Sequence, residues 1–133
     1  MTEKLLDWRA EVATVEAYRA LRRAAGLSTT SPDATRTGLS RSLAMVCGYA
    51  GADLVAMARL IGDGGIFAQV TDVAVHPDFE RRGHGTEAMR RLMAEAERLL
   101  PPSTYLSLIA DDGAEKLYAR FGFAPRTGMA RRI

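Results

Sequence analysis

The 133-residue chain has one cysteine, Cys47, so no intrachain disulfide can brace it and the fold must hold by packing. Cys47 stands in the apolar run Leu43-Ala44-Met45-Val46-Cys47, which predicts a buried, inert thiol and fits a reducing, cytoplasmic setting. Long hydrophobic runs are missing too. The most apolar stretch, 42–61, is broken by Gly48, Gly51, Asp53 and Arg59, short of the roughly 20 uninterrupted residues of a membrane helix. Residues 1–9 mix both charge signs without an apolar central region, which disfavours a signal peptide. Nor does charge of one sign dominate: 18 basic against 16 acidic residues leave +2. The arginines are interleaved with Asp and Glu instead of forming the basic stripe of a nucleic-acid binder. No His/Cys/Asp cluster has metal-ligand spacing, and no repeat, low-complexity block or linker divides the chain. With 47% hydrophobic and 26% charged residues, the expectation is one soluble domain over 1–133.

What is there is a succession of short, well-punctuated elements. Val12, Val15, Tyr18, Ala20 and Leu21 recur at near-helical spacing over 12–25, with Gly26 as the stop. Ser31 as N-cap and Pro32 at the first helical position open a second helix that ends before Ser42. Strand-like runs over 43–49, 54–61 and 66–75 are joined by Ala50-Gly51-Ala52-Asp53 and Gly62-Asp63-Gly64-Gly65, which predicts an antiparallel meander. After His76-Pro77-Asp78-Phe79, a helix over 85–100 carries Met89, Leu92, Met93, Ala96, Leu99 and Leu100 on one face. Glu87/Arg91 and Arg91/Glu95 line its other face. Pro101-Pro102 ends it, and 104–110 reads as a strand buried in the sheet by a parallel crossover. A short helix over 113–121 closes at Gly122, and 123–125 and 129–133 are candidate edge strands. The class expected is α/β (α+β), a mixed, mostly antiparallel sheet flanked by about four helices.

The most informative segment is Val73-Ala74-Val75-His76-Pro77-Asp78-Phe79-Glu80-Arg81-Arg82-Gly83-His84-Gly85-Thr86. Glycines that let backbone approach a ligand, feeding a helix N-terminus, make an anion site from unpaired N–H groups and the helix dipole. Taken alone, Gly83-x-Gly85 is equally a tight loop that starts a helix. The same residues fit a dinucleotide fingerprint, Gly-x-Gly-x-x-Ala, with Asp111 in the next strand region as a ribose ligand. Context rejects that reading: a seven-residue, proline-containing loop separates strand from glycines, and an antiparallel meander precedes it. The Walker loop is absent, because no Gly-Lys-Ser or Gly-Lys-Thr follows.

A strand ending Val-Ala-Val-His-Pro, a Gln/Arg-x-x-Gly-x-Gly/Ala loop opening a helix, then a strand and a helix ending Leu-Tyr-x-x-x-Gly-Phe resemble the GNAT superfamily of acyl-CoA N-acyltransferases. The resemblance runs over 43–125. It implies acetyl-CoA as co-substrate, with the segment Val73, Ala74 and Val75 presenting backbone groups to the pantetheine arm. It implies that the N–H groups of Arg81, Arg82, Gly83, His84, Gly85 and Thr86 cradle the pyrophosphate, and that the strand ending at Val75 splays from the strand after Thr104. Glu80 departs from the pattern, for it occupies the Gln/Arg position and puts a carboxylate near a pyrophosphate. Asp111 stands where the family often has Asn and supplies only an acceptor when ionised. Tyr118 matches the general acid.

Acyl transfer to an amine needs the neutral amine, yet an alkylamine with pKa near 10.4 is deprotonated only about once in several thousand molecules at pH 7. Asp72, charged within an apolar strand, is a candidate base; a chain of waters is the alternative, and a hydrogen-bonded Asp that pins a neighbouring element is the plainer role. His76 reads as a turn residue and His84 as the variable loop position. The leaving thiolate, with pKa near 8.5, needs a proton that Tyr118 can give. Tyr18, Arg22, Arg36, Arg41 and Arg59 belong to the part of the chain that frames the acceptor in this family, and nothing in them selects one amine. The leading reading is therefore an acetyl-CoA-dependent N-acetyltransferase that takes a small-molecule or peptide amine, with no metal, nucleic-acid or membrane partner and a homodimer as a compatible assembly. Its rival is a catalytically idle acyl-CoA-binding or protein-interaction module on the same fold.

Overall fold

The computed structural model describes residues 5–133; the charge reading of residues 1–4 lies outside them. In chain order the elements are β1 (Asp7–Arg9), α1 (Val15–Ala24), α2 (Pro32–Ser40), β2 (Ala44–Ala50), β3 (Asp53–Gly62), β4 (Phe67–Val75), a 3-10 turn (Pro77–Phe79), α3 (His84–Leu99), β5 (Tyr105–Leu108) and α4 (Glu115–Ala119). They form one five-stranded sheet in the order β1-β2-β3-β4-β5, antiparallel except for the parallel β4–β5 pair. The expected mixed sheet with four helices is therefore what the chain builds.

Local chemistry accounts for most boundaries. Thr14 caps α1 by accepting from Ala17 N, so α1 begins at Val15 and leaves Val12 outside. Ser31 caps α2 by accepting from Ala34 N, with Pro32 in the first turn. Between β3 and β4, Asp63 Oδ1 accepts from the backbone N–H groups of Gly65, Ile66 and Phe67, which lowers its pKa. Gly62 admits no other residue there: at φ +148 its missing Cβ would lie 2.4 Å from the Phe67 carbonyl oxygen.

Alternation along the strands sorts side chains into two cores. Val46, Ala58, Leu60, Ala68 and Val70 face α3 and meet Ala88, Met89, Leu92, Ala96 and Tyr118. Met45, Cys47, Met57 and Ala74 face the other way and meet Tyr18 and Leu21 of α1 and Leu39 of α2. Cys47 is fully buried and donates to the Glu11 carbonyl, and burial pushes its thiol up to about 11.

One irregularity in β4 sets up the site. The β3–β4 register runs Ala56↔Val75 and Met57↔Ala74, then resumes at Arg59↔Thr71, so Asp72 and Val73 together oppose Ala58. Asp72 takes the left-handed φ of +54 at this bulge. Ala68 and Val70 face α3, and unbroken alternation would place position 72 there too. The extra residue turns Asp72 and Ala74 to the α1 side and Val73 to the α3 side.

Several expectations are corrected. Residues 123–125 and 129–133 form no strand, so β5 is the sheet edge rather than a buried strand. Leu106 and Leu108 point into the α3 core, while Tyr105 (51%) and Ile109 (62%) remain exposed. Leu99 is exposed, because the chain leaves the helix at Leu100 and that side chain packs on the core instead. Glu95 pairs with Arg98 at 3.1 Å, not with Arg91, which holds Glu87 at 2.7 Å and lies over the Trp8 ring. β1 was not expected, since Asp7-Trp8-Arg9 is short and charged; only Trp8 faces the core.

Candidate active site

The β4–α3 loop is built stiffly. His76 Nδ1 accepts from Asp78 N at 3.1 Å, and the Phe79 N–H donates to the His76 carbonyl at 2.8 Å, closing the turn. Phe79 then gathers the loop: His76 stands edge-on to it at 6.1 Å, His84 is tilted against it at 6.5 Å, and the Arg82 guanidinium covers its face at 5.4 Å. Arg81 and Gly83 both adopt left-handed φ, +63 and +81, which turns the chain sharply into α3.

Gly83 is the N-cap of α3 and offers no side-chain acceptor, and the Glu87 N–H to the Gly83 carbonyl, 3.0 Å, is a first-turn helical bond. The N–H groups of His84, Gly85 and Thr86 precede it and open toward a cleft of about 240 Å³. Val75, Phe79, Glu80, Arg81, Gly83, His84, Gly85 and Thr86 line one side; Leu117 and Arg120 of the α4 region line the other. A Cβ on Gly83 would meet no atom within 4 Å, so the glycine serves its φ and leaves the space in front of the helix clear. A larger depression of about 390 Å³ lies at the far end of α3, walled by Met93, Leu100, Pro101, Pro102 and Leu106. It lacks a helix start and basic groups, so we place the candidate site in the smaller cleft.

β4 and β5 pair only from Phe67↔Tyr105 to Val70↔Leu108. Beyond that point Thr71–Val75 continue along β3 alone, leaving the β5-side backbone of Val73, Ala74 and Val75 unpaired by any strand among the described residues. The gap runs toward the loop cleft, with Val75 common to both.

Tyr118 comes from α4. Its ring, 9% exposed, packs in the α3-side core and meets Phe123 edge-on at 6.4 Å. Its oxygen makes no hydrogen bond to a described residue, and no buried side-chain oxygen among them is unpaired, so the hydroxyl keeps contact with solvent. Burial raises its pKa above 10.0, and the charge of Asp111 adds to the rise. Asp111 lies just past β5, where its carbonyl accepts from Ala114 N at the head of α4.

Asp72 sits on the other face of the sheet, where Oδ1 accepts from Arg22 Nη1 at 2.6 Å. Its Oδ2 accepts from Tyr18 Oη at 2.7 Å and Arg59 Nε at 2.9 Å. Burial, reinforced by the bond to Asp72, raises the Tyr18 pKa. Arg22 continues to the carbonyl and hydroxyl of Ser28, and Arg59 to the Gly38 carbonyl and Ser42 hydroxyl. One carboxylate thus ties the β4 bulge to α1, the α1–α2 loop, and the end of α2.

The sequence reading therefore finds its loop residues together at one cleft, except that Arg82 turns onto Phe79. Phe79 and Arg120 escaped it. The signal for Arg120 is its place three residues after Leu117, which returns it to the same side of a helical turn. The cleft suits a diphosphate: uncapped helix N–H groups, a left-handed glycine and two arginines converge on it.

A meander, a bulged fourth strand, a helix that starts from a left-handed glycine, and a parallel fifth strand that parts from the fourth are the frame of the GNAT acetyltransferase fold. The chain belongs to the Acetyltransferase (GNAT) family, whose model matches residues 5–123. No curated protein matches it significantly. Among solved structures, a probable acetyltransferase of unknown function from meticillin-resistant Staphylococcus aureus is 35% identical, with a TM-score of 0.90 over 97% of this chain and 100% of that one. A GNAT family acetyltransferase from Streptococcus pneumoniae is 23% identical, with a TM-score of 0.78 over 97% and 98%. The ribosomal-protein-S18-alanine N-acetyltransferase from Escherichia coli is 21% identical, with a TM-score of 0.75 over 92% and 80%; this likeness, like the preceding one, is of fold.

Proposed function

We propose that the protein transfers an acetyl group from acetyl-CoA to a primary amine by direct attack in a ternary complex. The observation that carries this reading is the continuity of the uncapped α3 start with the open β4 edge, with Tyr118 bordering the same core. Acetyl-CoA supplies an activated thioester. His84, Gly85 and Thr86 hold its diphosphate through their N–H groups, aided by Arg81, and Val73 and Val75 offer backbone partners to its amide-bearing arm. The new C–N bond forms as the C–S bond breaks, and two protons move: one leaves the amine nitrogen and one reaches the departing sulfur.

Tyr118 is the donor to sulfur. Its raised pKa keeps the phenol protonated at neutral pH, and its packed ring fixes the direction of the hydroxyl. Asp111 adds an acceptor near the same helix. For the amine proton, water in the open gap is the better acceptor of the two routes. Asp72 already receives three donors, and its part is to hold the bulge and the α1–α2 side in place. The amine is a small molecule or a peptide, and the free cysteine fits work in the cytoplasm. Among the described residues no helix is long and apolar enough to cross a membrane.

Free-thiol release from acetyl-CoA against a broad amine panel tests the reading. Turnover with any amine supports it. Tight CoA binding without turnover on the whole panel supports the idle module, which Glu80 in the cleft would favour.

A further inference from the structure

The cleft has two walls that come from different parts of the chain. The loop wall brings Glu80 and Arg81, whose charges cancel, plus backbone N–H groups; Arg82 is stacked on Phe79. A diphosphate carries negative charge, and of the loop side chains that line the cleft the one cation, Arg81, is offset by Glu80. The other wall brings Arg120, the residue that closes α4. Among the Asp, Glu, Lys and Arg side chains that line the cleft, the second cation, which tips the lining toward positive charge, comes from the α4 side as Arg120.

We propose that Arg120 is the cation that holds the acyl-CoA diphosphate against the start of α3, replacing the attraction that Glu80 removes from the loop, and that this grip fixes α4. The proposal rests on the acyl-CoA reading above. Arg120 is the C-cap of a helix of only five residues, Glu115–Ala119, two positions after Tyr118 and two before Gly122, which turns the chain away at φ +89. A helix this short has little stability of its own, so its position depends on what grips its ends. Leu117 and the Tyr118 ring hold it to the core, and a diphosphate bridging Arg120 to the α3 N–H groups holds its C-terminal end. Arg120 is thus a positioning residue: it binds the anion and steadies the end of the short helix whose Tyr118 ring is packed in the core. An arginine suits this role because its planar fork can engage two phosphate oxygens at once.

Calorimetric titration of the full chain with CoA and with 3′-dephospho-CoA tests this, together with hydrogen exchange over 114–120. For the parent, both ligands bind and CoA slows exchange of these amides. Arg120→Gln is expected to weaken both ligands about tenfold at low salt, to lose that protection, and to leave the melting temperature unchanged, since the side chain is exposed. The difference should shrink at high salt, and Arg120→Lys should recover part of the affinity. If Arg120→Gln binds CoA within about threefold of the parent, or is impaired with CoA but not with 3′-dephospho-CoA, the proposal is overturned while the acyl-CoA reading stands. A parent that binds neither ligand overturns both.

Discussion

Arg22 and Asp72, 50 positions apart, meet at 2.6 Å with both side chains largely buried, and Arg59 closes on the same carboxylate at 2.9 Å. The site therefore depends on a charge that sequence alone places inside an apolar strand. Removing that charge leaves two guanidinium groups facing each other in a protected setting. Asp72→Asn should cost about 3 kcal/mol or more in urea unfolding, in the range found for breaking buried pairs. If water takes the amine proton, kcat of the folded variant stays within about tenfold of the parent, the factor that 1.4 kcal/mol would give. A loss beyond a hundredfold in a fully folded variant would instead make Asp72 the base.

Gly83 supplies a left-handed turn and clear space in front of α3. Gly83→Val puts a β-branched residue at φ +81 and its methyl groups where the diphosphate would sit. CoA affinity should fall more than tenfold. Affinity within threefold of the parent, measured by titration, would move the cofactor site elsewhere.

Tyr118→Phe removes one oxygen and keeps the packing with Phe123. We expect kcat to drop by about 10² while the KM for acetyl-CoA barely changes, the signature of an interaction made only in the transition state. The direction of the pKa shift adds a second check. A phenol raised above 10.0 stays neutral throughout the neutral range, so donor activity should persist to alkaline pH and fail only as pH rises through that higher value. An alkaline limb well below pH 10 would assign proton delivery to another group.

Glu80 lines the cleft beside the start of α3. Glu80→Gln should tighten CoA by up to about 1 kcal/mol, the scale of a partly exposed charge interaction. Looser binding would show that the carboxylate is an organising part of the loop.

Cys47 is fully buried, and its thiol is held up at about 11 by that burial. A disulfide reagent at pH 8 should react with it only on unfolding. Because the folded pKa is raised, the thiol favours the folded state at lower pH, and that contribution fades as pH climbs from about 9 toward 11. Rapid labelling of the native protein would contradict the packing described for the α1-side core.

Much of the fold was legible because local rules set it. Ser31 and Pro32 cap a helix in any context, Gly62-Asp63-Gly64-Gly65 can only turn, and the spacing of Met89, Leu92 and Ala96 marks a buried helical face. The β4–α3 loop was readable for the same reason, since an anion site at a helix start is made from consecutive residues. The sequence could not determine what depends on distant partners. The fate of 123–133 was one such feature, because strand formation needs a neighbour with a free edge and the right approach, and those residues take none. The bulge at Asp72 was another: a single extra residue reverses which face each later side chain meets, and no local pattern marks it. Tertiary structure alone brought Arg22, Arg59 and Tyr18 onto one carboxylate and set Arg120 across a cleft from Glu80, because charges far apart in sequence come within a few ångströms only when the sheet and its helices have packed.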